Sequence, residues 1–148
     1  MLRQILATSD TSLLTIARIA LGVVLFPHGA QKLLGWFGGY GFNGTMGYFT
    51  GTVKLPYVIG LLVILVEFFG SLGLITGLLT RVSALGILGL FIGIIFIAHT
   101  SNGFFMNWSG QQAGEGYEYH ILAIGLALIV LVGGAGSFSL DTLLAERL

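Results

Sequence analysis

Four long apolar stretches restrict what this chain can fold into. They lie at positions 11–34, 55–79, 82–99 and 119–136. Each is about long enough to cross roughly 30 Å of hydrocarbon as a helix. Lipid offers no partners for backbone N–H and C=O groups, which favours helices over extended chain. We therefore predict an all-α integral membrane protein, a four-transmembrane antiparallel up-down helix bundle, with a single domain at 1–148.

The composition excludes several classes of function. Hydrophobic residues make up 55% of the chain and charged residues 8%, whereas about a quarter of an ordinary soluble domain is charged. No basic run is present to hold nucleic acid. The absence of cysteine excludes thiolate nucleophiles, disulfides, Cys-ligated iron–sulfur clusters and covalent haem attachment. A redox role would therefore use a non-covalent cofactor, a substrate quinone or a partner subunit.

The first helix carries two cationic residues on the same face as two glycines. At 100° per residue, Arg18, Gly22, Gly29 and Lys32 fall within about 80° of one another. A charge at the bilayer centre costs roughly 3 kcal/mol, so this face should point into the bundle, where the glycines allow close packing. Glu67 lies near the middle of the second helix, and we predict that it pairs with Arg18. Such a pair would either fix helix packing or belong to a proton- or quinone-handling site.

Two further glycine pairs have the small-xxx-small spacing of helix-packing motifs. They are Gly73 with Gly77 and Gly89 with Gly93. In a four-helix chain this spacing favours packing within the molecule over a dimer contact.

The ionisable side chains and the aromatic loops point to the outer half of the bundle. Histidine can shuttle protons or ligate metals, and loops at 35–54 and 100–118 would cover that level. An apolar pocket with titratable walls suits a flat hydrophobic ligand with polar edges. The candidates for catalysis are His28, Lys32, Glu67, His99 and His120. The candidates for ligand binding are Arg18, His28, Trp36, Glu67, Glu118 and His120. In the alternative interpretation, the aromatic residues form an interfacial belt and the histidines only bond to headgroups and water.

Metal and haem receive little support from the sequence. HExxH and related motifs are absent, so we predict no metal site. Two histidines from different helices could bind haem axially. However, His99 falls about 120° away from the stripe of Gly86, Gly89 and Gly93 at ideal helical spacing. Quinone is therefore the favoured ligand, and haem is not.

Several of these residues together resemble the DoxX family. The resemblance rests on three segments, HGAQKLLGWFGGYG at 28–41, EFFG at 67–70 and GSFSLD at 136–141. It also includes the single residues Arg18, Arg81, His99 and Glu118. It implies a small four-helix protein of the prokaryotic plasma membrane. Members are often labelled oxidoreductases, and a related subunit belongs to a thiosulfate:quinone oxidoreductase.

Two functions follow as hypotheses. In the first, the chain is a DoxX-type membrane oxidoreductase subunit that handles a quinone or similar ligand at the outer half of the bundle. In the second, it is a non-enzymatic membrane carrier or a scaffold for redox partners. The lipid bilayer is a partner in both, a redox subunit in the first, and a homo-oligomer is compatible with either.

The distribution of basic residues predicts the orientation of the chain. Arg3, Arg18, Arg81 and Arg147 lie on the side of the termini, and only two lysines lie on the other. Basic residues favour the cytoplasmic side, so both termini should be cytoplasmic. A cytoplasm-active reporter fused to the C terminus should be active, and the same reporter inserted in the loop at 100–118 should be inactive. The reverse pattern would contradict this orientation.

Overall fold

The structure, a computed structural model, describes residues 6, 8–9 and 11–147, and every secondary-structure element in this part of the chain is helical. Three helices are long and apolar enough to cross a membrane, and the fourth apolar helix, α5, has 16 residues. A short helix, α2, lies in the first outer loop, and another, α6, follows α5. The helices are α1 (Ser12–Leu34), α2 (Gly41–Gly51), α3 (Tyr57–Thr76), α4 (Thr80–Asn102), α5 (Glu118–Gly133) and α6 (Leu140–Ala145).

The four predicted apolar helices are present, with shifted ends. α3 begins two residues later than predicted, because the residue before Pro56 is biased towards extended backbone. It ends at Gly77, whose φ of 69° is the left-handed conformation typical of a helix C terminus. α5 ends three residues early, before Gly134, whose φ is 88°. Glycine, which lacks a Cβ, adopts these angles without strain.

The helix α2 was not predicted, because its segment was interpreted as a loop. Glycine is a weak helix former, and the segment Gly41–Gly51 contains four glycines, counting both end residues. The helix nevertheless packs against both α1 and α3, and its Met46 is buried. A Cβ added at Gly60 of α3 would lie 3.3 Å from the Met46 sulfur. Tertiary packing therefore stabilises a helix that the local sequence does not favour.

The four apolar helices form a closed ring of contacts. α1 packs against α3 and α5, and α4 packs against α3 and α5. Small and branched side chains fill the middle, among them Leu74, Ile87, Ala127 and Val130, all fully buried. The ring fixes which helix faces point inward.

Glycines bring α1 and α3 into backbone contact, as the sequence predicted. A Cβ at Gly29 would lie 2.6 Å from both the nitrogen and the Cα of Phe68. A Cβ at Gly22 would lie 2.9 Å from the carbonyl oxygen of Ser71. No larger residue fits at either position without moving one of the helices.

The expectation that Gly89 and Gly93 pack against another helix of the same chain is wrong. Nothing lies within 4 Å of a Cβ built at either position, and both residues line a cavity. Here the small-xxx-small spacing leaves room for the cavity, because neither glycine places a side chain in it.

The predicted ion pair between Arg18 and Glu67 is also wrong. Arg18, 1% exposed, donates to four backbone carbonyl groups instead. Its Nε bonds to Ala135 at 2.7 Å, and its two terminal nitrogens bond to Leu74, Ile75 and Phe138 at 2.7–2.8 Å. The carbonyl groups at a helix C terminus lack intrahelical partners and carry the negative end of the helix dipole. Arg18 therefore joins the end of α3 to the segment that follows α5.

Asp141 completes this cluster. Its carboxylate oxygens accept from the backbone N–H groups of Leu79 and Thr80, at 2.7 and 2.8 Å, at the start of α4. Its own N–H donates to the carbonyl of Gly77 at 2.8 Å, and its charge acts electrostatically on Arg18. The Arg18–Asp141 cluster thus ties the turn between α3 and α4 to the start of α6.

Replacing Arg18 should strongly destabilise the protein. In Arg18→Met, four carbonyl groups lose a charged donor, and hydrogen bonds to charged groups contribute about 1.5–3 kcal/mol each. We expect the free energy of unfolding to fall by at least about 3 kcal/mol in a denaturation titration in mild detergent. Arg147→Met removes the same charge from an exposed position and should have little effect. Equal losses in the two variants would contradict the role assigned to Arg18.

Candidate functional site

A cavity of about 610 Å³ opens between the four apolar helices and α2, in the half of the molecule away from the turn between α3 and α4. Its volume lies in the usual range for small-molecule sites, and its walls are mainly aliphatic and aromatic. It is lined by every residue that the sequence nominated as a catalytic candidate: His28, Lys32, Glu67, His99 and His120. The structure therefore brings together side chains from α1, α3, α4 and α5.

Glu67 pairs with Lys32. The carboxylate is buried, and its Oε2 lies 2.8 Å from Lys32 Nζ. The contact has the distance of an ion pair but not the angles of a hydrogen bond, so Oε2 has no hydrogen-bond partner among the described residues. Lys32 is one turn beyond Gly29, whose backbone contact with the Glu67–Phe68 peptide brings the two helices together. The pairing thus follows from the glycine contact.

Glu67 lies in a π-helical segment of α3, Val66–Gly70. A π turn holds an extra residue within an α-helix and is common at functional sites. A second π segment, Ile95–His99, lies in α4 and ends at the candidate histidine. Because an extra residue changes the phase of the helix, His99 faces the cavity rather than the direction that ideal spacing gives. Ideal spacing alone left the direction of His99 open, and the structure places His99 in the cavity wall with Gly89 and Gly93.

His99 and His120 are in ring contact, with their planes tilted by 44°. Their ring centroids lie 4.2 Å apart, and the His120 ring also contacts Phe91 and Tyr119 edge-on at 5.5 Å. His99 Nδ1 donates to the carbonyl oxygen of Glu115 at 2.7 Å. His120 is 7% exposed, and its Nδ1 has no hydrogen-bond partner among the described residues. His120 is therefore a residue of the cavity wall with an unsatisfied ring nitrogen.

The other predicted ligand-binding residues lie elsewhere. Arg18 belongs to the Arg18–Asp141 cluster. Trp36 is half exposed and packs against Phe37. Glu118 accepts from the backbone N–H of Met106 at 2.8 Å, which fastens the second outer loop. These three residues do not line the cavity.

Four aromatic residues of the cavity wall were not among the candidates named from the sequence: Tyr48, Phe49, Phe91 and Tyr119. Tyr48 and Phe49 come from α2, and Tyr119 precedes His120 on α5. In the sequence, the tyrosines were also compatible with an interfacial belt. If the segment 41–51 had been predicted as a helix, Tyr48 and Phe49 would have been expected to contact the bundle from the loop between α1 and α3.

Lys32 also lines a second cavity of about 540 Å³, between α1 and α2. Tyr48 and Phe49 line both cavities. Lys32 and these aromatic rings therefore separate the first cavity, which we call the inner cavity, from the second cavity, which is rich in glycine.

The geometry adds little support for a metal or a haem. In the part of the chain that the structure describes, no three His, Cys, Asp or Glu side chains come together at a spacing that suits a metal ion. His99 and His120 are in ring contact, which leaves no space for a porphyrin between them.

Apolar helices around an internal cavity define a helical membrane protein with a candidate ligand site. The chain belongs to the DoxX family, whose model matches residues 13–100. It is similar to the inner membrane protein YqjF of Escherichia coli (strain K12), with 27% identity over 132 residues, which cover 89% of this chain and 92% of that protein. No solved structure matches the chain. The family, the relative and the apolar helices together support a membrane protein of the prokaryotic plasma membrane, in contact with the lipid bilayer.

A double-mutant cycle should distinguish the observed ion pair from the one predicted initially. Lys32→Met and Glu67→Gln each leave one partner without its counter-charge, so the double variant should be more stable than the sum of the two losses implies. We expect a coupling energy of about 1–3 kcal/mol in unfolding titrations. For Arg18→Met with Glu67→Gln, the losses should add to within about 0.5 kcal/mol. Coupling in the second cycle but not in the first would contradict the structure.

Proposed function

We propose that the chain is a subunit of a membrane oxidoreductase that binds a quinone or a similar hydrophobic ligand in the inner cavity. One observation carries the proposal. In this largely apolar cavity, two buried polar atoms, Glu67 Oε2 and His120 Nδ1, have no hydrogen-bond partner among the described residues. Leaving a buried polar atom such as His120 Nδ1 unpaired costs about 1–3 kcal/mol, whereas Glu67 Oε2 is compensated by its ion pair with Lys32. A ligand with polar edges and an apolar body would pair them and fill the space.

The polar atoms favour particular groups on the ligand. A carboxylate only accepts hydrogen bonds, so Glu67 would bind a hydroxyl group such as that of a hydroquinone. His120 can donate or accept at Nδ1 according to its tautomer, and so suits either a carbonyl or a hydroxyl group. A quinone and its reduced form offer these groups on one flat ring.

The same residues could handle the protons of a redox reaction. Oxidation of a hydroquinone to a quinone releases two electrons and two protons. Glu67 and His120 are the groups able to accept protons from the ring, and His99 links His120 to the outer loop. The electrons would pass to a partner redox subunit, because this chain has no cysteine for thiol or Cys-ligated cluster chemistry.

We also propose that α1, α3, α4 and α5 all cross the membrane as an antiparallel up-down bundle, with both termini in the cytoplasm. The closed ring of contacts and the short turn between α3 and α4 support this arrangement. At 16 residues, α5 spans about 24 Å, slightly less than the hydrocarbon core. The cavity would then lie in the outer half of the bilayer.

Binding of a quinone analogue should depend on Glu67 and His120. We expect the purified chain in mild detergent to bind a short-chain benzoquinone and its hydroquinone in equilibrium dialysis. Glu67→Gln should weaken hydroquinone binding, and His120→Ala should weaken binding of both forms. Each loss should be roughly tenfold, as for a lost hydrogen bond to a buried group.

Two exposed positions provide controls. Glu146→Gln matches the carboxylate change, and Trp108→Ala removes an aromatic side chain outside the cavity; both should bind like the unmodified chain. If no quinone is extracted from the purified protein and no analogue binds, the oxidoreductase proposal fails. The carrier or scaffold hypothesis would then be favoured.

A further inference from the structure

The helices α3 and α4 diverge as they leave the turn that joins them. Near the turn they are in contact, since a Cβ at Gly70 would lie 3.4 Å from Ile87. Further out, a Cβ at Gly86 would lie 3.2 Å from Val66. At Gly89 and Gly93, nothing lies within 4 Å. The two helices thus form a wedge that widens over about 10 Å along α4.

The open side of this wedge is apolar and faces outward. Ile59 and Leu62 of α3 and Ile97 of α4 line the cavity, yet they are 44%, 50% and 54% exposed. These side chains lie on apolar helices long enough to span a membrane. The cavity is therefore continuous with a surface that contacts lipid hydrocarbon, and not only with the outer loops.

The inner part of the same cavity is polar at defined points. Glu67 is 5% exposed and His120 is 7% exposed. His120 Nδ1 has no hydrogen-bond partner among the described residues, and Glu67 Oε2 is held only by its ion pair with Lys32. The glycine wall alone would indicate only empty space, whereas these buried polar atoms indicate a ligand with a polar head.

We infer that the gap between α3 and α4 is a lateral entrance from the bilayer, and that it holds the alkyl or isoprenoid tail of a membrane-soluble amphiphile whose head lies at Glu67 and His120. Gly86, Gly89 and Gly93 form the wall on which the tail lies, because any side chain there would occupy the gap. The identity of the head as a quinone rests on the proposed function. The inference that the gap admits a single hydrocarbon tail does not rest on it.

Photocrosslinking in lipid nanodiscs tests this inference. The full chain is reconstituted in phosphatidylcholine with one of two probes that share a ten-carbon tail ending in a diazirine. One probe has a benzoquinone head and the other a carboxylate head. We expect the tail of the quinone probe to label residues 59–66 or 89–97 several times more than the lipid-facing side of α5, as measured by mass spectrometry.

A matched pair of glycine variants provides the control. Gly89 and Gly125 both lie in apolar helices with nothing within 4 Å of an added Cβ, but only Gly89 lines the cavity. Gly89→Leu should reduce labelling of the entrance about tenfold, and Gly125→Leu should leave it unchanged. Gly93→Leu is a second blocking variant, and melting temperatures establish that each variant is folded.

The outcomes separate this inference from the proposed function. Equal labelling around the whole lipid-facing surface by both probes, or labelling of the entrance that survives both blocking variants, would overturn the lateral entrance. If the carboxylate probe labels the entrance and the quinone probe does not, the entrance stands and the quinone proposal fails. If a tailless benzoquinone binds as tightly as the tailed analogue, and Gly89→Leu affects neither, the quinone site stands and the entrance fails.

Discussion

The arrangement of this protein depends on the backbone contact between Gly29 of α1 and the Glu67–Phe68 peptide of α3. A Cβ at Gly29 would lie 2.6 Å from that backbone, so the two helices meet at the closest distance that their main chains allow. One turn further along α1, Lys32 then reaches Glu67 at 2.8 Å. The contact therefore fixes the position of the buried Glu67 carboxylate along the helices. It also brings this carboxylate next to the Lys32 ammonium group, near the C-terminal end of α1.

The two ends of the helix ring use charge differently. At the end near the termini, Arg18 and Asp141 bond to backbone groups at helix ends and turns, which are otherwise unsatisfied and costly to bury. In the outer half, Glu67 and His120 each keep an atom without a hydrogen bond. Saturated hydrogen bonding fits a structural role, and unused bonding capacity beside a cavity fits a binding role.

Departures from regular helix geometry coincide with the cavity. Both π segments, Val66–Gly70 and Ile95–His99, contribute cavity residues. The α3–α4 contact opens where α4 has glycine at positions 89 and 93. The π segment of α3 therefore serves both purposes, since it holds the close contact with α1 and contributes Val66 and Glu67 to the cavity wall.

The sequence alone determined the class of structure, because length and hydropathy leave few choices for four apolar stretches in lipid. Helical periodicity also gave the inward face of α1, and the candidates His28, Lys32, Glu67, His99 and His120 could be named from their chemical types. Only the tertiary structure decided the partners. Glu67 binds Lys32 rather than Arg18, since an arginine near helix ends finds backbone carbonyl groups that no one-dimensional pattern reveals. The direction of His99 and the presence of α2 depend on a π turn and on packing against distant helices, which local propensity does not encode.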